Sequence, residues 1–450
     1  MRQLYEPVIG IEVHVELNTA SKMFCRCSTK YFGEEPNTHT CPVCLGFPGA
    51  LPVINREAIN KCIQIGLALN CNINPVNYFE RKNYFYPDLP KGYQISQLVL
   101  PVAVGGWLEV EDEQGEETKV RINRAHQEED TAKLTHRGTY TLIDFNRSGV
   151  PLVEIVTEPD FNSSFQVRDY AKKLQQIFRY LGVSDADMEK GDMRLEANVS
   201  VRKIQNSEFR IQNERKELPP YRVELKNINS FRFMVAAIEY EIKRQIEALE
   251  KGEKLTQETR GWSEAKKETY LQRSKEEAHD YRYFPEPDLP QLKIDEGQLT
   301  TLKNKMPELP QRKIEIYTTQ LGVKEQDARI LAGSKELAEF FETALEHGQK
   351  HGVSTQEVVN YIVNIKPDIE IVLPTQVVEE IKGKKVGKID DEKELEKLAK
   401  MAIEQNPQAV EAYRKGKVTA VQSLVGTMMK LSGGKAVADK AAQLLRTLLK

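Results

Sequence analysis

Four of the six cysteines fall within twenty positions, as Cys25-x-Cys27 and Cys41-x-x-Cys44. Thiolates at this spacing can converge tetrahedrally on Zn²⁺ at about 2.3 Å, and four protein ligands leave no open coordination position, so the chemistry implied is structural. His39 and the turn-prone Pro36, Asn37 and Pro42 suit a knuckle over residues 25–44, against the competing reading of four unrelated buried thiols. Cys62 and Cys71 lie on an apolar helical stretch and are expected in the core.

A second set of reactive side chains is carried on segments that alternate like strands. From Val8 to Leu17 the odd positions Ile9, Ile11, Val13, Val15 and Leu17 are apolar, so Gly10, Glu12, His14 and Glu16 project together from the other face. In RLEANVSVR, Arg194, Glu196, Asn198, Ser200 and Arg202 oppose Leu195, Ala197, Val199 and Val201. Arg222, Glu224 and Lys226 alternate in the same way with Val223 and Leu225. One charged face is usually the wet side of an antiparallel sheet. Three that mix carboxylates, a histidine and arginines suit a concave sheet that grips a nucleotide, a metal and phosphates.

Phosphoryl transfer needs hard oxygen ligands for Mg²⁺ and cations for the phosphates. Candidate metal ligands are Glu12, His14, Glu128 or Glu129, Glu154 and Glu196, while Arg147, Arg194, Arg202, Arg222, Lys226 and Arg232 are candidate phosphate partners. Glu154 stands out, because it sits inside the apolar run VPLVEIV, where a carboxylate is unfavourable unless paired or metal-bound. His126, Glu128, Glu129 and Asp130 form a dense polar run that reads equally well as a solvated loop. No GxxxxGK[ST] loop or GxGxxG is present; SGGK at Ser432 to Lys435 lacks the spacing and the preceding strand, so it reads as a turn. Nor is there a Gly/Ser-rich amidase signature with a paired lysine, which argues against a chain that generates ammonia itself.

These groups need a scaffold, and 450 residues suggest two to four domains. Strands and helices mix up to about Pro290, and the remainder reads as helix; the border falls in a stretch broken by Pro285, Pro287, Pro290, Pro307 and Pro310. Helices are expected at about Ser164 to Leu181, stopped by Gly182, and near Val235 to Leu249. A net charge of −3 gives no general attraction to nucleic acid, so RNA binding would need a local patch. From Met401 to Lys450 eight Lys and Arg face three acids, which is either such a patch or a solvated helical surface. The N-terminus lacks the pattern of a secretory signal and no segment approaches a membrane span, so a cytoplasmic location is expected.

In order along nearly the whole chain, the blocks IGIEVHVEL, the CRC and CPVC pairs, FERKNYFYPDLPKGYQISQ, HQEEDTAKL, DFNRSGVPLVEIVTEPD, MRLEANVSVR, ELKNINSFR and DYRYFPEPDLP closely resemble the B subunit of the aspartyl/glutamyl-tRNA amidotransferases. The resemblance implies an α+β fold: a glutamine-synthetase-like cradle of antiparallel sheet with helices over residues 1–292, a helical domain over 293–385 and a small α-helical tail over 386–450 that holds tRNA. It further implies ATP-dependent phosphorylation of the side-chain carboxylate of Glu on tRNA(Gln) or Asp on tRNA(Asn). Ammonia tunnelled from the amidase (glutaminase) A subunit would then displace phosphate, with a small C subunit as third member of a heterotrimer. By the same resemblance His14, Glu128 and Glu154 hold Mg²⁺ near Glu12, and Glu196, Asn198, Ser200, Arg202, Lys226 and Arg147 meet ATP, phosphate or the acceptor. Lys82, Tyr84 and Tyr86 then line the tunnel mouth, and Arg414, Lys415, Lys417 and Lys435 belong to the tRNA tail.

Two features depart from the family pattern. Glu196 stands where the family usually has Asp, one methylene longer, and the segment around 352–385 is shorter than the norm. An archaeal, glutamate-only paralogue would carry an inserted synthetase-like domain, and no insertion of that size is present. The alternative from another class is a zinc-knuckle RNA-binding scaffold without catalysis.

Overall fold

The computed structural model describes residues 4–204, 217–274, 280–386, 392–414, 420–432, 436 and 438–449. It divides into a first unit, Met1–Arg312, and a second, Lys313–Lys450. The first is built on a nine-stranded sheet whose strands, in chain order, are β1 (Tyr5–Glu16), β2 (Asn72–Ile73), β3 (Ala103–Glu111), β4 (Glu117–Glu129), β5 (Pro151–Thr157), β6 (Met193–Lys203), β7 (Val223–Ile228), β8 (Glu258–Ser263) and β9 (Glu268–Ser274). Their order across the sheet is β9-β8-β7-β6-β1-β5-β4-β3-β2. Neighbours are antiparallel except β7 and β8, which run parallel. Helix α3 (Phe231–Glu250) joins those two as the crossover that a parallel pair requires.

The alternation read in the sequence decides which face is covered. Ile9, Ile11, Val13 and Val15 of β1 are at most 1% exposed, and they share one core with Leu195, Ala197 and Val199 of β6. Helices α1 (Arg56–Ala68), α2 (Ser164–Leu181) and α3 contribute Ile63, Leu174 and Ile238 to the same core. Burying each such side chain is worth roughly 1.5–3 kcal/mol. The even positions are thereby left on the opposite face. Cys62 and Cys71 are buried in this core, as expected.

The helices end where their caps dictate. Ser163 accepts a hydrogen bond from the Gln166 amide at the start of α2, and Gly182 ends it in the left-handed region at φ 63°. At the sheet's edge Gly106 lets β3 approach the end of α1: a Cβ there would lie 2.3 Å from the Leu69 carbonyl oxygen and 2.4 Å from Cys71 Sγ.

Helix α4 (Glu296–Lys305) places Leu302 in the first core, with Met306 and Leu309 packed against it, so this unit runs past the border expected at residue 292. In the second unit the described residues are helical and form two further cores. One gathers Tyr317, Phe341, Val358, Val359 and Val377; the other gathers Leu395, Ala399, Leu424, Met428 and Leu445. The architecture is thus α+β, a large mixed sheet with helices followed by a helical region. Among the described residues no helix is long and apolar enough to cross a membrane.

Candidate functional site

Strand register assembles the polar face. His14 of β1 stands opposite Glu154 of β5 and Arg194 of β6, and Glu154 stands opposite His126 of β4. One row across four strands therefore reads Arg194, His14, Glu154, His126. The neighbouring row reads Glu196, Glu12, Val156, Arg124. Directly opposed side chains lie about 5 Å apart, close enough to interact.

His14, Glu128 and Glu154 each offer a ligand atom, and these atoms lie within 4.8 Å of one another. His14 Nε2 is 4.0 Å from Glu154 Oε2, while His126 Nε2 sits 3.1 Å from Glu154 Oε2 and 3.3 Å from Glu128 Oε1. Ser96 Oγ donates to Glu128 Oε1 at 2.6 Å and Gln94 Nε2 donates to Oε2 at 3.2 Å, so Glu128 is held in orientation from a separate strand, Tyr93–Ser96. The buried Nδ1 of His126 has no hydrogen-bond partner.

The electrostatics suit a cation. Burial opposes ionisation of Glu128 and Glu154, yet both are held below the usual carboxylate range, Glu128 at about 2, by Lys82 and His126 and, for Glu154, His14. Glu12 is pushed up by burial and by the nearby carboxylates of Glu154 and Glu196. Two ionised buried carboxylates beside a third form a set of hard oxygen donors of the kind a divalent ion takes.

The dense polar run is buried rather than a solvated loop: His126, Glu128 and Glu129 end β4 and Asp130 follows it, each at most 4% exposed. The pleat separates the two glutamates. Glu128 turns to the polar row, whereas Glu129 pairs with Lys91 and accepts from the Ile95 amide at 3.0 Å. Glu129 lines a cavity on the knuckle side with Cys25, Cys44 and Phe47, away from His14.

The remaining candidates divide. Asn198 donates to Glu12 Oε1 at 2.9 Å, and Lys226 Nζ lies 2.7 Å from Glu196 and 3.2 Å from Glu224, so these four continue the polar face beside Glu12. Ser200 is buried and bonds the Val8 carbonyl, and Arg202 pairs with Glu6 at 2.8 Å. Arg147 donates to the carbonyls of Thr131 and Ala132 at 2.9 and 3.0 Å and lies 3.7 Å from Asp130, which also binds Arg194. Arg232 is exposed and 3.8 Å from Glu264, and Arg222 is exposed.

Lys82 joins the acidic cluster: burial would lower its pKa, but Glu128, Tyr283 and Glu154 hold it above the usual lysine range. It lies 5.4 Å from the Tyr281 ring, which packs edge-on to Tyr84 at 5.9 Å, while Tyr86 is 54% exposed. Arg414 is exposed at the end of the helix Pro407–Arg414, and Lys415, Lys417 and Lys435 lie outside the described residues.

The four knuckle sulfurs also lie within 4.8 Å of one another, with Cys41 and Cys44 Sγ 3.8 Å apart. That is the edge expected of a tetrahedron with Zn–S bonds of about 2.3 Å, so the donor set fits zinc. Cys44 is drawn down to about 5 by the Cys25 thiol, against burial, and by Lys22, whose Nζ is 3.7 Å from its sulfur.

Sequence reasoning misses two residues on this face. His126 reads there as polar but without a place, and Arg124 does not stand out at all; each shares the parity of Glu128, the one signal that could find them.

Comparison with known proteins places this architecture. Residues 7–300 match the GatB/GatE catalytic domain and residues 334–449 match the GatB domain. The chain is 43% identical over 491 residues to the B subunit of the aspartyl/glutamyl-tRNA(Asn/Gln) amidotransferase of Thermotoga maritima, covering 99% of each chain. It is 44% identical over 488 residues to the protein of the same name from Thermodesulfovibrio yellowstonii, again covering 99% of each, and 43% identical over 486 residues to that of Caldicellulosiruptor saccharolyticus, covering 98% of each. These alignments are longer than the 450-residue chain, so the relatives carry positions that it lacks. Identity at this level over both domains leaves one conclusion: the chain belongs to the GatB family, the B subunits of the aspartyl/glutamyl-tRNA(Asn/Gln) amidotransferases.

Proposed function

We propose that the chain activates the side-chain carboxylate of Glu on tRNA(Gln), or of Asp on tRNA(Asn), by transfer of the γ-phosphoryl group of ATP. Ammonia delivered by the glutaminase A subunit then completes the amide, with a small C subunit in the same cytoplasmic assembly. The observation that carries this reading is the convergence of His14, Glu128 and Glu154 on one point of the polar face.

In this reading His14, Glu128 and Glu154 hold Mg²⁺, with Glu12 beside them. Bound Mg²⁺ supplies Lewis-acid stabilisation of the charge on the transferring phosphoryl group. His126, Ser96 and Gln94 fix the two glutamates, so their orientation costs little when the ion arrives. The acceptor carboxylate attacks the γ-phosphorus and ADP leaves; ammonia attacks the resulting acyl phosphate at its carbonyl carbon and inorganic phosphate leaves. Without that activation ammonia would meet an unreactive carboxylate anion. Lys82, beside Glu128 and the tyrosines at 84 and 283, is assigned in this reading to the ammonia entrance, supported by its place next to the acidic cluster. Asn198, Glu196 and Lys226 bracket the acceptor side.

The four knuckle cysteines hold a structural zinc, and the basic residues of the segment 386–450, Arg414 among them, meet the tRNA backbone. The test is ATP-dependent amide formation on both mischarged tRNAs by the chain assembled with its glutaminase partner. Glu154→Gln is expected to abolish it. Undiminished amide formation by that variant would overturn the reading, and tRNA binding without amide formation by the wild type would leave the RNA-holding scaffold.

A further inference from the structure

We infer that Arg124 is the residue that grips the transferred phosphoryl group, a role that rests on the proposed phosphoryl-transfer reading of the polar face.

Phosphoryl transfer places negative charge on the equatorial oxygens of the moving group, and a guanidinium is suited to receive it through paired donors. Most of the cations on this face are already committed. Arg194 and Arg147 close on Asp130, Arg202 on Glu6, and Lys226 on Glu196 and Glu224. Lys82 is held by the field of Glu128 and Glu154. Arg124 differs. Among the described residues its side chain has no carboxylate partner, and that side chain's one hydrogen bond is a long 3.4 Å contact to the side chain of Asn123. Its Nε is buried and has no partner. An unsatisfied, buried donor on a permanently charged group is costly, and such a cost is retained where a ligand relieves it.

Its position fits the ligand. Arg124 lies two residues from His126 on β4, hence on the same face and about 7 Å along the strand. His126 touches both Glu128 and Glu154, so Arg124 stands one pleat repeat from the point where the proposed metal ligands converge. In the next row across the sheet, Arg124 and Glu12 flank Val156. A phosphoryl group bound to an ion at His14, Glu128 and Glu154 would therefore present its free oxygens toward Arg124, with Glu12 on the far side of that row. The group gripped is the same before and after transfer, first the γ-phosphate of ATP and then the acyl phosphate.

The test compares the full chain with Arg124→Ala and Arg124→Lys by calorimetric binding of Mg²⁺ with AMPPNP, which carries a γ-phosphoryl group, and of Mg²⁺ with ADP, which does not. Arg124→Ala is expected to weaken AMPPNP about ten- to a hundredfold, the loss expected for a hydrogen bond to a charged group, while ADP changes less than twofold. Arg124→Lys should recover part of the difference. In the assembled enzyme, guanidinium ion should restore part of the phosphoryl transfer lost in Arg124→Ala, which a merely structural arginine would not allow. Mn²⁺ affinity without nucleotide should be unchanged. Equal weakening of AMPPNP and ADP, or loss confined to the KM for mischarged tRNA, overturns the assignment while leaving ATP use intact. A wild-type chain that binds neither nucleotide overturns both this assignment and the proposed function.

Discussion

His14 and Glu154 stand directly opposite each other on adjacent antiparallel strands, yet His14 Nε2 and Glu154 Oε2 are 4.0 Å apart, too far for a hydrogen bond. The two side chains flank a gap instead of closing on one another. His126 Nε2 holds that same oxygen, Glu154 Oε2, at 3.1 Å, so it cannot move toward His14 without stretching that contact. If the gap is a metal site, Glu154→Gln removes a charge the ion needs. Mn²⁺ binding by the full chain, followed by electron paramagnetic resonance, is expected to weaken at least about tenfold in that variant. Unchanged affinity would remove the metal from the site.

The zinc knuckle makes a separate prediction. Cys41→Ser replaces one of four converging sulfurs, and zinc content measured by mass spectrometry should fall by at least half, with a lower melting temperature. Mn²⁺ binding at His14 should persist, because the knuckle shares no ligand with that cluster. Full zinc occupancy in Cys41→Ser would refute the knuckle assignment.

Glu16 sets a pH dependence. Burial and the neighbouring carboxylate of Asp130 raise its pKa well above the ordinary 4.5. Below that ordinary value the group is protonated in the folded and unfolded chains alike. As pH rises the unfolded chain loses the proton first, so the folded state loses stability until pH passes the raised value. Gln mimics the protonated acid, and its amide oxygen can still accept the Tyr31 hydroxyl that bonds Glu16 at 2.9 Å. Glu16→Gln should therefore melt higher than the wild type near pH 8, with the difference vanishing toward about pH 4. A difference that grows on acidification would contradict this.

Much of the site could be read from parity. The odd apolar positions of β1 fixed which residues join the core, and the same rule set Glu12, His14 and Glu16 on the other face. Helix α2 matches its expected limits because Ser163 and Gly182 are strong local stops. What stayed closed were contacts between distant positions. Arg194 meets Asp130 across 64 residues and Arg202 meets Glu6 across 196, so no local pattern shows that these cations are already paired. The choice between Glu128 and Glu129 likewise depends on how β4 registers with β5, which a single strand's composition does not encode.

Gly106 tests the fold rather than the site. A methyl group there would press on the Leu69 carbonyl, which already accepts the Trp107 amide at 2.9 Å, and on Cys71 Sγ. Neither backbone nor buried thiol can move freely, so Gly106→Ala is expected to cost about 1–3 kcal/mol in chemical denaturation. A neutral result would mean that the junction of α1 and β3 yields more easily than its close approach implies.

The neighbouring glutamates of β4 give the sharpest comparison. Glu128→Gln and Glu129→Gln change the same chemistry one residue apart, on opposite faces of one strand. Glu128 contacts His126, Ser96 and Gln94 on the polar face, so its variant should lose Mn²⁺ affinity at least about tenfold. Glu129 pairs with Lys91, whose side chain is only 12% exposed. Its variant leaves that ammonium without a counter-charge and should destabilise the fold by about 3 kcal/mol while Mn²⁺ affinity is kept. The opposite assortment, with Glu129→Gln losing the metal and Glu128→Gln retaining it, would require β4 to pair with β5 one residue out of register, moving every side chain that β4 contributes to the polar face to the other face.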